Sequence, residues 1–513
     1  MGSFTQNIKK TRHKDLSAKS VMSIGGGSMG VLQKIIDKYK KIPLPAKASL
    51  WFVFCSILQK GISFITVPIF TRIMSTTEYG IYSTYLSWYQ MLLIFTSLNL
   101  YYGVFNNAMV KFQDRRDQYI SSMQGIVVVL TFAFFGVYLA FTEAINRFLG
   151  LSTPLVLLLF VELLVTPALQ FWTVRNRFEY KYRSIVAVTL AKSILNPVLG
   201  IIFVVFSPQK DVARVASVVL IEVCFCGAIA VYQFYRGKTF FDKEFWKFAI
   251  LFNIPLIPHY LSGTILSQSD RIMIGKLVDN SAVAFYSVAY NIGVVINIIV
   301  TSINSSLTPW MYQKIKAGKA IEMKKIINLL LVLMAGLVFL VEFLAPEAMI
   351  ILASKEYAGA VYVIPPVAAG TFFFFMYNVF ANVEFYFEER RFVLIGSVMA
   401  AALNLLLNWI FIPIFGYYAA GYTTLVCYII YGLSHLGFSK FVLNKHLNGE
   451  KIFDGRFIMF MSIVVIAITI GLNYLYSYNP LRYGILAIIL VMLLIKRQTV
   501  LNILKTAMAL KRR

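Results

Sequence analysis

Charge is what this sequence has least of. Only 14% of its 513 residues are Asp, Glu, Lys or Arg, against about 25% in soluble domains, and acidic side chains number 23 against 48 basic ones. With 59% of the chain hydrophobic and 15% aromatic, water is excluded as its main solvent. Cysteine is also scarce: Cys55, Cys224, Cys226 and Cys427 all fall inside apolar runs, where a thiol behaves as a small hydrophobe and no disulfide is expected. Cys224 and Cys226, two apart on a helix, point about 200° apart, which argues against a shared metal. No P-loop, His-Glu-x-x-His, Gly-x-Ser-x-Gly or Asp-x-Asp pair occurs, so nucleotide-driven and hydrolytic chemistry lose support. The gaps between apolar runs are too short for the large external loop of a membrane glycosyltransferase. The expectation is a non-enzyme without cofactor or metal.

What is there is a succession of apolar runs, at about 47–70, 79–103, 119–141, 153–174, 184–206, 212–235, 247–275, 281–308, 326–344, 362–388, 392–414, 417–438, 457–477 and 482–495. Each is near the roughly 20 residues that span a bilayer as a helix, the last being short. The expected fold class is therefore an all-α polytopic membrane protein of about fourteen transmembrane helices. The net charge of +25 does not point to nucleic acid, because the basic residues sit in alternate gaps. Only Arg72, Arg147, Lys210, Arg214, Lys276, Lys355 and Arg482 fall in the other set of gaps. By the positive-inside rule both termini are expected in the cytoplasm, and the protein in the plasma membrane. Residues 1–46 are polar and basic and lack the apolar core of a signal peptide. Val31, Leu32, Ile35, Ile36 and Tyr39 recur between lysines there, the pattern of a helix lying on an anionic lipid surface.

A weak internal repeat divides the chain. The first run ends in Arg72-Ile73-Met74, and Glu78-Tyr79-Gly80-Ile81-Tyr82-Ser83 opens the second; the seventh ends in Arg271-Ile272-Met273, and Ala282-Val283-Ala284-Phe285-Tyr286-Ser287 opens the eighth. Both copies run the same way through the membrane, so the repeat is parallel, as in some transporters. The expected organisation is a cytoplasmic arm at 1–46, a six-helix lobe at 47–235, a linker at 236–246, a second six-helix lobe at 247–438, and two extra helices with a basic tail at 439–513. A cleft between the lobes, opening to either side, would serve transport.

Ionisable residues inside apolar runs cost several kcal/mol, on the order of 2.5 or more, unless they face a polar interior. Lys60 is 13 residues beyond Lys47, roughly 20 Å into the membrane, too deep to snorkel, and reads as a cavity-lining cation. Lys192, roughly 13 Å beyond Arg183, reads as either a snorkelling side chain or a cavity cation. Arg271 follows Ser267-Gln268-Ser269-Asp270; adjacent helical residues face apart, so Asp270 is not its natural partner. Glu162 and Glu222 are the deepest carboxylates and candidate partners for Lys60 and Lys192. Glu342 and Glu384 lie nearer the ends of their runs, where interfacial solvation would account for them. His259, beside Pro258, reads as a hydrogen-bonded helix-break residue rather than a proton carrier.

Pro68-Ile69-Phe70-Thr71-Arg72-Ile73-Met74-Ser75 with Glu78-Tyr79-Gly80-Ile81-Tyr82, and Ser267-Gln268-Ser269-Asp270-Arg271-Ile272-Met273-Ile274-Gly275, resemble the polysaccharide-biosynthesis transporters, or Wzx-type oligosaccharide flippases, of the MATE-like multidrug/oligosaccharidyl-lipid/polysaccharide exporter superfamily. The likeness extends over about 47–440. It implies two six-helix lobes around a central cavity and a substrate of undecaprenyl diphosphate bearing a sugar repeat unit. The expected partners are that lipid-linked oligosaccharide and membrane lipids, with a polysaccharide polymerase and chain-length machinery beyond them, and no nucleic acid. Lys60, Lys192, Arg271 and Arg72 are the cations expected to meet the pyrophosphate, Arg72 and Arg271 through the family pattern and Lys60 and Lys192 through burial alone. In the absence of a nucleotide motif, uphill movement would need a proton or sodium gradient, for which Glu162, Glu222 and Asp270 are the coupling candidates. A MATE-type multidrug or cation antiporter shares the two-lobed design but carries mostly cationic substrates, which excess cavity cations would repel. A flippase for the peptidoglycan precursor or for teichoic-acid chains fits the same residues.

Overall fold

The computed structural model describes residues 43–447, 449–495 and 498; the expected surface helix within 1–46 and the basic tail lie almost wholly outside them. The described chain is helical. In order, the helices are α1 Leu44–Ile73, α2 Thr76–Ser97, α3 Val104–Lys111, α4 Arg116–Ala140, α5 Thr142–Leu149, α6 Thr153–Phe178, α7 Tyr182–Phe206, α8 Lys210–Glu222, α9 Ala228–Gly237, α10 Lys243–Asn253, α11 Ile257–Leu277, α12 Asn280–Gly293, α13 Asn297–Lys316, α14 Met323–Phe343, α15 Ala345–Leu352, α16 Ile364–Tyr386, α17 Arg390–Phe415, α18 Tyr417–His446, α19 Gly455–Leu475 and α20 Asn479–Ile495.

Twelve helical segments among the described residues are long and apolar enough to cross a membrane. Two of the fourteen apolar runs fall short of that measure. Helix α2 has the length but is rich in Ser, Thr and Tyr, and Tyr79, Ser83, Thr84, Tyr85, Ser87 and Tyr89 are buried in protein rather than turned to lipid. Helix α20 has only 17 residues. Three spanning segments are broken: a π turn, Val223–Gly227, joins α8 to α9, and 3-10 turns at Ile254–Leu256 and Val294–Ile296 join α10 to α11 and α12 to α13. Pro255 removes a backbone donor at the first of the 3-10 breaks.

The two repeat copies meet. Helix α2 packs against α11 and α12, and each repeat turn is capped: Ser75 accepts from Glu78 N while the Glu78 carboxylate accepts from Ser75 N, and Asp279 accepts from Ala282 N at 2.7 Å. Between lipid-like surfaces there is little hydrophobic drive for helices to associate, so close backbone approach and polar contacts decide. Gly80 supplies the first, since a Cβ there would lie 1.7 Å from the Asn280 carbonyl oxygen. Thr76 and Thr77 supply the second, each 3.0 Å from Ser281 Oγ. The stretch 345–361, an external loop by its sequence, is folded: α15 is followed by a 3-10 segment, Lys355–Val363, with Ala345, Met349, Leu352 and Tyr357 buried against α12. In the second half α16 is the buried axis, packed by α14, α18 and α19 through Phe372, Phe373, Met376, Phe380 and Val383.

Candidate functional site

Helices α1, α2, α7 and α8 surround a half-open cavity of about 370 Å³, to which α12 adds Asn291. Helix α1 contributes Gln59, Ser63, Thr66 and Phe70, spaced at one helical face, a polar stripe on an apolar helix. Lys192, Ser193 and Asn196 come from α7, and Arg214 and Glu222 from α8. Two cations and one carboxylate give the wall a net positive charge.

Lys192 and Glu222 are paired at 2.7 Å, with Cys226 beside them: its thiol donates to the Glu222 carboxylate at 2.8 Å, and the ammonium lies 3.6 Å from its sulfur. Cys226 belongs to the π turn that follows α8, and such turns recur at functional sites. Arg214 has no carboxylate partner among the described residues. Its guanidinium lies over the Phe70 ring at 4.3 Å and the Tyr82 ring at 5.1 Å. It donates to Asn196 Oδ1 at 2.8 Å and Ser217 Oγ at 3.2 Å, and its Nε has no acceptor. Only 6% of Arg214 is exposed, which corrects its assignment to a gap between helices: α8 begins at Lys210 and takes Arg214 into the bundle. Arg482, placed outside by the same reasoning, is likewise buried, against Glu347 at 2.5 Å and the Phe343 carbonyl at 2.6 Å.

The other residues singled out in the sequence are dispersed. Lys60 is exposed on α1, one turn before Ser63, and has no carboxylate within ion-pair distance among the described residues. Arg72 closes α1 and donates to Pro68 O at 2.7 Å and to the carbonyls of Ile351 and Ala353 at 3.3 and 3.4 Å, at the carbonyl-rich end of α15, where a cation is favourable. Arg271 is buried over the Tyr290 ring at 4.5 Å and donates to Ser287 Oγ and Ser267 O at 3.1 and 2.8 Å. Asp270 faces away from it, accepting from the Tyr286 hydroxyl, from Asn408 Nδ2 at 2.6 Å and from Thr424 Oγ1 at 3.0 Å. Asn404, Ser269 and Thr423 extend this network across α11, α17 and α18. Glu162 is buried in α6 and accepts from the Tyr85 hydroxyl at 2.6 Å, and no lysine pairs with it among the described residues. His259 bonds Ser397 Oγ at 3.1 Å.

Glu342 and Glu384 correct the expectation of interfacial solvation, because neither is exposed. Glu342 accepts from Thr469 at 2.8 Å and its second oxygen has no partner; Glu384 faces His435. Their helices continue only a few residues further, but α19 and α18 pack over those ends. Among the described residues no group of three His, Cys, Asp or Glu side chains gathers at metal-binding geometry.

The broken helices, the packed repeat turns and the polar cavity define a multi-pass membrane protein with a transporter fold. The fold is similar to that of the lipid II flippase MurJ in an inward closed conformation (TM-score 0.62, 14% identity, covering 88% of this chain and all of that one). It is also similar to that of the Vibrio cholerae MATE transporter VcmN (TM-score 0.53, 12% identity, 80% and 97%). The chain belongs to the polysaccharide biosynthesis protein family, whose model matches residues 46–315. It is 23% identical over 184 residues to Lsg locus putative protein 1 of Haemophilus influenzae, covering 34% of this chain and 45% of that one. It is also 23% identical over 228 residues to an uncharacterized membrane protein of the same organism, covering 42% and 56%. The match thus spans about half the length of these curated relatives.

Proposed function

We propose that the protein is a flippase that moves an undecaprenyl-diphosphate-linked oligosaccharide across the plasma membrane, by alternating access between its two halves, for assembly of a capsule, exopolysaccharide or O-antigen. The observation that carries this reading is Arg214, a buried guanidinium with no carboxylate partner among the described residues, facing a cavity whose wall also holds Lys192, Glu222, hydroxyls and amides. A guanidinium held flat against aromatic rings presents paired donors to a phosphate. Lys192 adds a second cation once an anion displaces Glu222. Gln59, Ser63, Thr66, Asn196 and Asn291 offer hydrogen bonds to sugar hydroxyls, and the prenyl chain stays in lipid. Lys60 stands at the exposed side of α1, positioned to meet the anion before it enters. Arg72 and Arg271, engaged with carbonyls, hydroxyls and tyrosine rings, hold the two repeat turns. The cationic wall disfavours a multidrug cation antiporter.

Both termini are assigned to the cytoplasm by the charge asymmetry, and transport is coupled to a proton or sodium gradient, with Glu222, Glu162 and Asp270 as coupling groups. The test is glycan export by cells carrying Arg214→Ala at matched protein level. Loss of export with accumulation of the lipid-linked precursor supports the reading, and undiminished export overturns it.

A further inference from the structure

The second half holds an ionisable pair that the cavity does not use. Glu384 of α16 and His435 of α18 are both fully buried, and His435 Nδ1 lies 2.8 and 3.0 Å from the two Glu384 oxygens. The other ring nitrogen, Nε2, is buried with no hydrogen-bond partner. It abuts α17 where there is no side chain: a Cβ on Gly396 would lie 2.7 Å from it. The next residue, Ser397, bonds His259 of α11, so imidazoles from α11 and α18 flank one thin turn of α17.

Little else charged faces the pair. On α16 the nearest titratable group is Tyr377, its ring 4.8 Å from that of His435, and on α18 it is Tyr431, at 4.9 Å. Helix α11 presents His259, and α17 presents Gly396 and Ser397. On the remaining faces of α16 the ion pairs of α13, α14 and α19 close on Glu322 and Asp454, Glu342 of α14 bonds Thr469, and Tyr312 meets Tyr386 edge to face. No lysine or arginine lies within ion-pair distance of Glu384 among the described residues.

We propose that Glu384 and His435 form a proton-binding site whose occupancy is tied to the position of α17. With a proton on each ring nitrogen the pair is net neutral, and Nδ1–H donates to the carboxylate. With a proton on Nδ1 alone it carries a net negative charge in a dry site, which is the costlier arrangement. The sealed structure therefore favours the two-proton form, although its Nε2–H then has no acceptor. Displacing α17 admits water to Nε2: the N–H bond breaks, the electron pair stays on nitrogen, the proton passes to water, and the remaining charge is hydrated. Proton release and helix displacement become one step. Resting on the flippase reading, that step gives a proton gradient a further grip on alternating access beside Glu222, Glu162 and Asp270, in the half of the molecule away from the cationic cavity.

The chain has four histidines, so nitrogen-15 histidine NMR of the purified protein resolves the site, with His435→Gln assigning the signal. The expected result is a His435 ring protonated on both nitrogens in the parent and on one nitrogen in Glu384→Gln under the same conditions. In proteoliposomes an imposed pH gradient accelerates movement of an undecaprenyl-diphosphate oligosaccharide, and the ratio of rates with and without the gradient falls in both variants. A His435 ring in the same protonation state in the parent and in Glu384→Gln, or gradient acceleration undiminished in both variants, overturns the proposal. If the undecaprenyl-diphosphate oligosaccharide does not move at all, the flippase reading fails while the histidine spectrum still decides the proton site.

Discussion

Lys192 and Glu222 face each other at 2.7 Å in the cavity wall, while Arg214, about two helical turns before Glu222 on α8, has no carboxylate partner among the described residues. The two cations are therefore unequal. Arg214 is open to an incoming anion, whereas Lys192 is neutralised until one arrives, and an anion that draws Lys192 away leaves Glu222 in need of a proton or another cation.

Arg214→Ala is expected to reduce export at least tenfold. A hydrogen bond to a charged group contributes about 1.5–3 kcal/mol, which is about tenfold to a hundredfold in affinity. Arg214→Lys restores the charge but neither the paired donors nor the stacking on Phe70 and Tyr82, so it should recover only part of the loss. Full activity in the lysine variant would reduce the role to charge alone.

Removing one partner of the mostly buried Lys192–Glu222 pair is expected to lower thermal stability, by about 3–5 kcal/mol where burial is complete and by less at this half-open wall. Lys192→Met with Glu222→Met together should regain most of the melting temperature without regaining export. A double variant that exports normally would make the pair a structural contact.

Much of the fold was legible because it rests on apolar run length: each of the fourteen runs has its helical counterpart. The broken spans were legible only in part. Pro255 and Pro258 marked the break before α11, but nothing in Val223–Gly227 or Val294–Ile296 announces a turn, since those breaks come from packing. Arg214 was missed because a cation near the end of a run reads as loop. The signal that could have found it is the polar stripe of Arg214, Ser217 and Glu222 on an otherwise apolar helix. Glu384 and His435 are 51 positions apart, on helices whose pairing no local pattern states.

Gly80→Ala is expected to part α2 from α12, because its Cβ would overlap the Asn280 carbonyl and backbone cannot yield as a side chain does. A cysteine at Thr77 should then react several times faster with an impermeant thiol reagent in intact cells than it does with Gly80 in place. Equal reactivity would mean that this contact does not seal the end of the bundle.

Glu347 is held well below the usual carboxylate range, at about 2, by Arg482 and by the Tyr483 hydroxyl. Because the folded value is depressed, the contribution is complete above the ordinary value of about 4.3 and is lost as the pH falls towards 2. Glu347→Gln should cost on the order of 1 kcal/mol at pH 7, after allowance for solvent screening. It should also flatten the fall in melting temperature between pH 5 and 3. A variant as acid-sensitive as the parent would contradict this.

The central claim is that the cavity carries a lipid-linked glycan, and reconstitution tests it most directly. Proteoliposomes holding the purified protein and a fluorescent undecaprenyl-diphosphate oligosaccharide are treated with an impermeant quencher that reports the leaflet. The account predicts rapid protein-dependent exchange between leaflets that Arg214→Ala slows at least tenfold; exchange no faster than in protein-free vesicles, or equally fast in the variant, would contradict it.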